Sequence, residues 1–245
     1  MSTTSPSYDL VGDVHGCRSE LDSLLTALGW QGTHHPDGRT AVFVGDLVDR
    51  GPDTPGVLRR VMAMVRAGTA LCVAGNHEAK LVRALTGAEV RTSHGLQESL
   101  DQLAAEPDGF RSAVRDFLAD LPTQLSLDDG RLVVAHAGLR EDLHGVHSPR
   151  ARAFALYGDT TGRSDEHGLP VRLPWQRDYR GRARVVYGHT AVTEAEWVNN
   201  TLCLDTGVVF GGRLTALRYP ELELVDVPAE REWCPPSRPL APVTR

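Results

Sequence analysis

The stretch VFVGDLVDRGPDT, residues 42–54, decides how the chain is read. An apolar run from Ala41 to Val44 has the length of a buried strand. It stops at Gly45-Asp46, and Asp49, Arg50 and Asp53 follow within seven residues. A buried strand that empties into so many charges marks a strand end where polar groups are gathered for use. In open α/β sheets such groups collect beyond the carboxyl ends of the strands.

The same form recurs along the chain. YDLVGD, ALCVAGN, RLVVAH, RVVYGH and LCLDTG are short runs rich in Val and Leu, each closed by Gly, Asp, Asn or His, the pattern of buried strands. SELDSLLTALG, TPGVLRRVMAMVRAG and RSAVRDFLADL lie between them with apolar residues at three-and-four spacing, as amphipathic helices require. Pro55 falls in the first turn of the second helix and Gly68 just past its end, where each residue favours helix termination. Pro52 and Asp53 read as the lead into that helix. Strands alternating with helices predict an α/β fold. After residue 200, LCLDTGVVF, RLTALRYP and ELELVDVP read as consecutive strands, a C-terminal β-meander that closes one edge or forms a second sheet. Residues 85–125 and 139–180 are longer, partly helical connections read as cap segments. Residues 8–228 form one domain, and 229–245 a proline-rich tail, extended or partly disordered.

Composition sets limits. The chain has 245 residues, 41% of them hydrophobic, enough for one large core. A formal charge of -6 argues against binding nucleic acid by electrostatics alone. A phosphate site must then be made locally cationic, and bound metal supplies such charge. There is no membrane-spanning apolar run and no signal-peptide pattern at MSTTSPSYDL. The four cysteines have no framework spacing, so they read as reduced thiols of a cytoplasmic protein. Lys80 is the only lysine. His34-His35 read as an exposed polar loop, and Trp175 and Tyr179 as core.

The strand ends deliver Asp13 and His15, Asp46, Asn76 with His77, His136 and His189. Carboxylates, imidazoles and one amide, without thiolate, suit Mn²⁺, Fe²⁺, Zn²⁺ or a similar ion. Asp13 and His15 are two residues apart and in extended backbone point the same way. Two ions about 3.5–4 Å apart would clamp both oxygens of a displaced phosphoryl group.

GDVHG (12–16), GDLVDRG (45–51), GNHE (75–78), HAG (136–138) and GHT (188–190), in that order, resemble the signature of the calcineurin-like metallophosphoesterases, and more narrowly their phosphoprotein-phosphatase branch. LYGDTTG, WQRDYRGRARVVYGHT and DTGVVFGGRLTALRYPE extend the resemblance to the bacterial asymmetrical bis(5'-nucleosyl)-tetraphosphatases and to the phosphatase domain of bacterial polynucleotide kinase-phosphatases. The resemblance implies a four-layer αββα sandwich with a helical cap. It also implies two divalent cations, Mn²⁺ first, with Ni²⁺, Co²⁺, Fe or Zn²⁺ as alternatives. Asp13, His15 and Asp46 would hold the first cation. Asp46 would bridge to a second, held with Asn76, His136 and His189. His77 would be the general acid, oriented by Asp49, and Arg50 would bind phosphate. Lys80, Arg140 and Asp205 are further substrate-binding candidates. The reaction implied is in-line attack of a metal-bridging hydroxide on diadenosine tetraphosphate, giving ATP and AMP.

Other readings are an RNA-end phosphomonoesterase or 2',3'-cyclic phosphodiesterase, which would make nucleic-acid ends the partner, and a serine/threonine protein phosphatase. The sequence AKLVRALTG after GNHE disfavours the last. A metal-binding scaffold without catalysis would not require the Asp49–His77 pair. No membrane partner is expected, and the sequence leaves the oligomeric state open.

Overall fold

The computed structural model describes residues 6–242; residues 1–5, and 243–245 of the proline-rich tail, lie outside the described residues. The first half runs β1 (Tyr8–Val11), α1 (Arg18–Ala27), β2 (Thr40–Phe43), α2 (Thr54–Arg66), β3 (Ala70–Cys72), α3 (Asn76–Leu85), α4 (Leu96–Ala104) and α5 (Asp108–Ala119). Then come β4 (Leu125–Leu127), β5 (Leu132–Val134), α6 (Pro149–Tyr157), β6 (Thr160–Ser164), β7 (Pro170–Arg172) and α7 (Trp175–Asp178). The chain closes with β8 (Arg184–Tyr187), β9 (Trp197–Val198), β10 (Thr201–Cys203), β11 (Arg213–Tyr219) and β12 (Glu223–Pro228).

Two five-stranded sheets result, ordered β12-β11-β1-β2-β3 and β4-β5-β8-β10-β9. β1, β2 and β3 are parallel, as are β5, β8 and β10, and antiparallel strands close the edges. Each parallel strand is apolar on both faces because both are covered. Leu10, Val42, Val73, Val134, Val186 and Leu202 meet between the sheets. Val11, Phe43 and Cys72 turn outward against the first helical layer. Val133, Val185, Tyr187 and Cys203 turn outward against α6 and the Trp175 turn. The order helix, sheet, sheet, helix is the expected αββα sandwich.

Local signals account for individual elements. The Asp53 side chain caps α2 by accepting from Gly56 N at 2.8 Å, and Pro55 stands in the first turn. At the far end Gly68 takes φ +71°, and Thr69 N returns to Met64 O at 3.1 Å, closing the helix as a left-handed glycine does.

Three expectations change. The C-terminal strands are not one meander: β10 joins the second sheet beside β8, and only β11 and β12 form a hairpin, on the edge of the first. The reason lies in residues 204–212, which cross between sheets. There Leu204 N bonds Tyr187 O of the second sheet, and Gly12 N of the first bonds Thr215 O. Within 85–125, α4 and α5 bury Leu96, Leu103, Val114 and Leu118 in the first helical layer, and it is the loop before α4 that reaches the cavity at the strand ends, through His94. His35 is buried: its Nε2 lies 2.9 Å from Leu28 O, and its ring stands edge-on to Trp30.

Among the described residues, the tail is pinned to the body. Trp233 N bonds Val209 O, and Ala241 pairs with the backbone on both sides of Val192. No helix is long and apolar enough to cross a membrane among those residues. All four cysteines are free.

Candidate metal centre

The six parallel strands end on one edge, and the loops leaving them are drawn together by backbone hydrogen bonds. Val14 N and His15 N both donate to Asp46 O, at 3.1 and 2.9 Å, and Gly16 N donates to Leu47 O at 2.8 Å. This geometry needs unusual backbone. His15, Asp46, Asp49, Arg50 and His189 all have φ between +46° and +73°, a region that costs a non-glycine residue of order 1–3 kcal/mol. Gly45 (φ +97°) has a second reason to be glycine: a Cβ there would stand 2.7 Å from Gly75 N.

Asp46 is at the centre. Its Oδ1 accepts from His77 N at 3.1 Å. Its Oδ2 lies 3.6 Å from His15 Nε2, 3.8 Å from His77 Nε2 and 3.3 Å from His136 Nε2. Burial opposes its ionisation, but His136, His77 and His15 outweigh this and hold its carboxyl well below the usual range.

On one side, His15 places Nδ1 2.8 Å from the Val48 carbonyl. A carbonyl only accepts, so Nδ1 carries the proton and Nε2 faces inward with a lone pair. Burial and the Arg50 guanidinium keep this imidazole neutral, well below its ordinary pKa. On the other side, His136 Nδ1 is 3.0 Å from Val44 O, which turns Nε2 inward; burial disfavours the charged ring, but the Asp46 carboxylate outweighs this and raises its pKa. That Nε2 lies 3.0 Å from Asn76 Oδ1 and 3.1 Å from His189 Nδ1. Burial, helped by Arg172, pushes His189 well below its usual pKa.

Asp13 is buried beside this group. Its Oδ2 accepts from His189 N at 2.9 Å, while its Oδ1 has no hydrogen-bond partner. Burial, then Asp205 and Asp46, raise its pKa well above the ordinary value. A Cβ on Gly188 would come within 1.8 Å of that oxygen, so the cradle admits only glycine.

These observations test whether divalent cations fit. Two clusters each gather three potential ligand atoms within 4.8 Å: His15, Asp46 and His77, and Asp46, His136 and His189. An orphaned buried carboxylate oxygen beside inward-facing imidazole nitrogens suits a divalent cation. Borderline nitrogen and oxygen donors without sulfur match first-row divalent ions. The residues fit.

His77 stands apart from the other imidazoles. Its Nδ1 is 2.6 Å from Asp49 Oδ2, and Asp49 is wholly buried. Asp49 N in turn donates to Ser99 Oγ of α4 at 2.9 Å, and Gln102 of α4 clasps the backbone of Gly51 and Thr54. So α4 braces the 49–54 loop. Arg50 donates from Nη1 to His15 Nε2 at 2.6 Å and from Nη2 to His77 Nε2 at 3.0 Å, with Phe210 beneath its guanidinium.

Sequence reasoning gave Glu78 no part. It is fully buried, and its carboxylate accepts from Asp46 N, Leu47 N and Gly75 N at 2.7–2.8 Å. It thereby ties the loop after β2 to the N-terminus of α3. Burial, then the nearby Asp46 charge, push its pKa up to about 7.

Of the substrate-binding candidates, Asp205 is buried in the site and lines the cavity over it. Lys80 is not among that cavity's walls: its ammonium donates to Ser93 O at 2.8 Å. Arg140 does not line it either, and its guanidinium is taken by Asp142 at 3.1 Å. The cavity of about 310 Å³ over Asp46, Asn76 and His77 is walled instead by His94, Arg172, Phe210 and tail residues Cys234–Leu240. Arg172 and the tail sit in sequence among other arginines and prolines, with no signal to single them out.

Fold and site together define a metal-dependent phosphoric-ester hydrolase. The calcineurin-like phosphoesterase model matches residues 8–217, and the chain belongs to that family, whose members use two divalent metal ions. It is 45% identical over 230 residues, 91% of this chain and 94% of the relative, to a bis(5'-nucleosyl)-tetraphosphatase PrpE [asymmetrical] of Anoxybacillus flavithermus. It is 42% identical over 235 residues, 93% of this chain and 96% of the relative, to a protein of the same name from a Geobacillus species. Among solved structures, one named as a candidate diadenosine tetraphosphatase superposes with TM-score 0.66 at 29% identity, covering 94% of this chain and 96% of the other. A serine/threonine phosphatase of Saccharomyces cerevisiae superposes with TM-score 0.62 at 16% identity, covering 94% and 81%, a likeness of fold alone.

Proposed function

We propose that the protein cleaves diadenosine tetraphosphate asymmetrically, to ATP and AMP. The observation that carries the reading is the identity of 41–45% across more than nine-tenths of the chain with relatives named for that activity. The geometry supports it residue by residue. Asp13, His15 and Asp46 would hold one divalent cation. Asp46, Asn76, His136 and His189 would hold the other, Mn²⁺ being the first choice for both. When bound, such ions supply positive charge for the phosphate oxygens and lower the pKa of water.

The chain's own groups do the rest. Arg50, whose two Nη atoms reach both sides of the site, binds oxygens of the scissile phosphate by charge-assisted bonds. Asp49 holds the Nδ1 proton of His77 and fixes the ring. Once Arg50, which donates to His77 Nε2 at 3.0 Å, turns from it to the phosphate, Nε2 is the atom free to carry a proton to the leaving oxygen as general acid. A cytoplasmic location belongs to the same reading; the four free cysteines support it, because a reducing compartment keeps thiols unpaired.

The test is product analysis. Metal-stripped protein restored with Mn²⁺ is incubated with diadenosine tetraphosphate, and the nucleotides are separated by chromatography. Equal ATP and AMP is the expected result. Two ADP would move the bond cut to the centre of the chain. Intact substrate, with 2',3'-cyclic nucleotides, RNA ends or phosphopeptides consumed, would replace the substrate while keeping the site.

A further inference from the structure

A second, larger cavity of about 420 Å³ lies beside the metal centre. It meets the cavity over the metal ligands at Arg172, His189, Arg238 and Pro239, which wall both. We propose that this cavity is a nucleoside subsite, which receives the base and ribose of a nucleotide whose phosphates lie on Arg172 and the metal centre. The proposal rests on the reading of the substrate as a nucleoside polyphosphate.

The distribution of charge carries the argument. The cavity is lined by Asp159, Glu194 and Glu196, and by Asp165, which is paired with Arg238 at 3.4 Å, against two guanidiniums. The two guanidiniums, Arg172 and Arg238, are at the junction with the metal cavity. A polyphosphate is attracted to the junction and repelled from the interior, so the uncharged end of the substrate must be the part that enters. Carboxylates only accept hydrogen bonds. The matching groups on a ligand are donors, such as ribose hydroxyls and an exocyclic amine.

The remaining walls suit a flat ring. Pro174, Trp175, Val192 and Pro239 give an apolar lining, and Trp175 is held rigid by edge contacts to Phe154 and Tyr179. The volume is in the range of about 300–1,000 Å³ usual for small-molecule sites. Arg172 is fixed in place by donating to Thr190 Oγ1 at 2.5 Å and His189 O at 3.3 Å. Burial and the nearby Arg238 draw its pKa down to about 10, which leaves it cationic at neutral pH. Arg238 reaches Asp165 of the β6–β7 hairpin at 3.4 Å, so the tail and the hairpin together frame the opening.

Leu173, an exposed lining residue, provides the test. In Leu173→Trp the indole fills part of the cavity without touching the core. The variant should raise KM for diadenosine tetraphosphate about tenfold and leave kcat/KM for p-nitrophenyl phosphate, which has no nucleoside, within about twofold. Adenosine, titrated calorimetrically into the metal-loaded wild type, should bind, and Leu173→Trp and Glu194→Ala should each weaken that binding. Equal losses on both hydrolytic substrates, an unchanged KM for the dinucleotide, or adenosine affinity untouched by both variants would overturn the subsite. If the wild type leaves diadenosine tetraphosphate intact, the proposed reaction fails on its own. The adenosine titrations then decide the subsite separately.

Discussion

His77→Ala separates the two roles its geometry permits. Its Nε2 lies 3.8 Å from Asp46 Oδ2 and its ring centroid 4.9 Å from that of His15. Position alone would allow it to be a ligand. Its Nδ1 contact to buried Asp49 at 2.6 Å is what a proton donor requires. Loss of a general acid costs about 10²–10⁴-fold in turnover, equivalent to about 2.7–5.4 kcal/mol of transition-state stabilisation. That cost falls only where the leaving oxygen needs a proton. An alkoxide leaving group should show it in full, whereas p-nitrophenolate and the terminal phosphate of a departing nucleotide, both stable as anions near neutral pH, should show little. The assay is kcat on an alkyl phosphomonoester such as a nucleoside monophosphate and on p-nitrophenyl phosphate, with metal content measured on the same preparations. The expected result is a loss on the first substrate alone, with two ions per chain retained. Equal losses on both, with one ion missing, would refute the acid assignment and make His77 a ligand.

Two further substitutions test the scaffold. Glu78→Gln leaves one acceptor oxygen where the carboxylate serves three backbone N–H groups. At about 1.5–3 kcal/mol per charged hydrogen bond and roughly 2–4 °C per kcal/mol, calorimetry should show the midpoint fall by about 5–10 °C, with weaker metal retention. An unchanged midpoint would mean Glu78 does not join the loops. Asp9 is wholly buried on β1 and accepts from Arg39 Nε at 2.7 Å and Trp30 Nε1 at 2.9 Å. Removing one partner of a buried pair costs about 3–5 kcal/mol. Asp9→Ala should therefore lower the midpoint by roughly 10 °C, while activity per folded molecule stays at the wild-type level. A loss of specific activity would show that the β1 network reaches the site.

The strand ends were legible because two simple rules coincide there: apolar runs of strand length, and polar residues immediately after them. Asp13, His15, Asp46, Asn76, His77, His136 and His189 all come together on that basis. What stayed hidden depends on chain segments far apart in sequence. Glu78 gains its role only when Gly75 and Asp46 are adjacent. Arg172 reaches the site because the β6–β7 hairpin delivers it. Lys80 lies one helical turn past His77, yet the 86–95 loop intervenes and its Ser93 carbonyl takes the ammonium. Asp13 and His15 share the site without the expected extended alternation: His15 has φ +46° and arrives by a turn. Periodicity can place a residue at a strand end, but hydrogen bonds to distant backbone decide which way it faces.

Asp46 shows what that backbone achieves. Its carbonyl accepts from two amides of the loop after β1, its own N–H goes to Glu78, and Oδ1 takes the His77 amide. Every polar atom but Oδ2 is thus committed to a segment from a different part of the chain. Rotating the carboxylate would break its bond to the start of α3, and the backbone that carries it is pinned to the loop after β1 and to Glu78. Oδ2 is left pointing where three imidazole nitrogens converge at 3.3–3.8 Å. The left-handed turns at His15, Asp46 and Asp49 are the cost of bringing these atoms so close, and the shared amides are what sustains it. A site assembled this way has its charge and direction set by the fold before any phosphate arrives, the condition under which electrostatic stabilisation needs no reorganisation during the reaction.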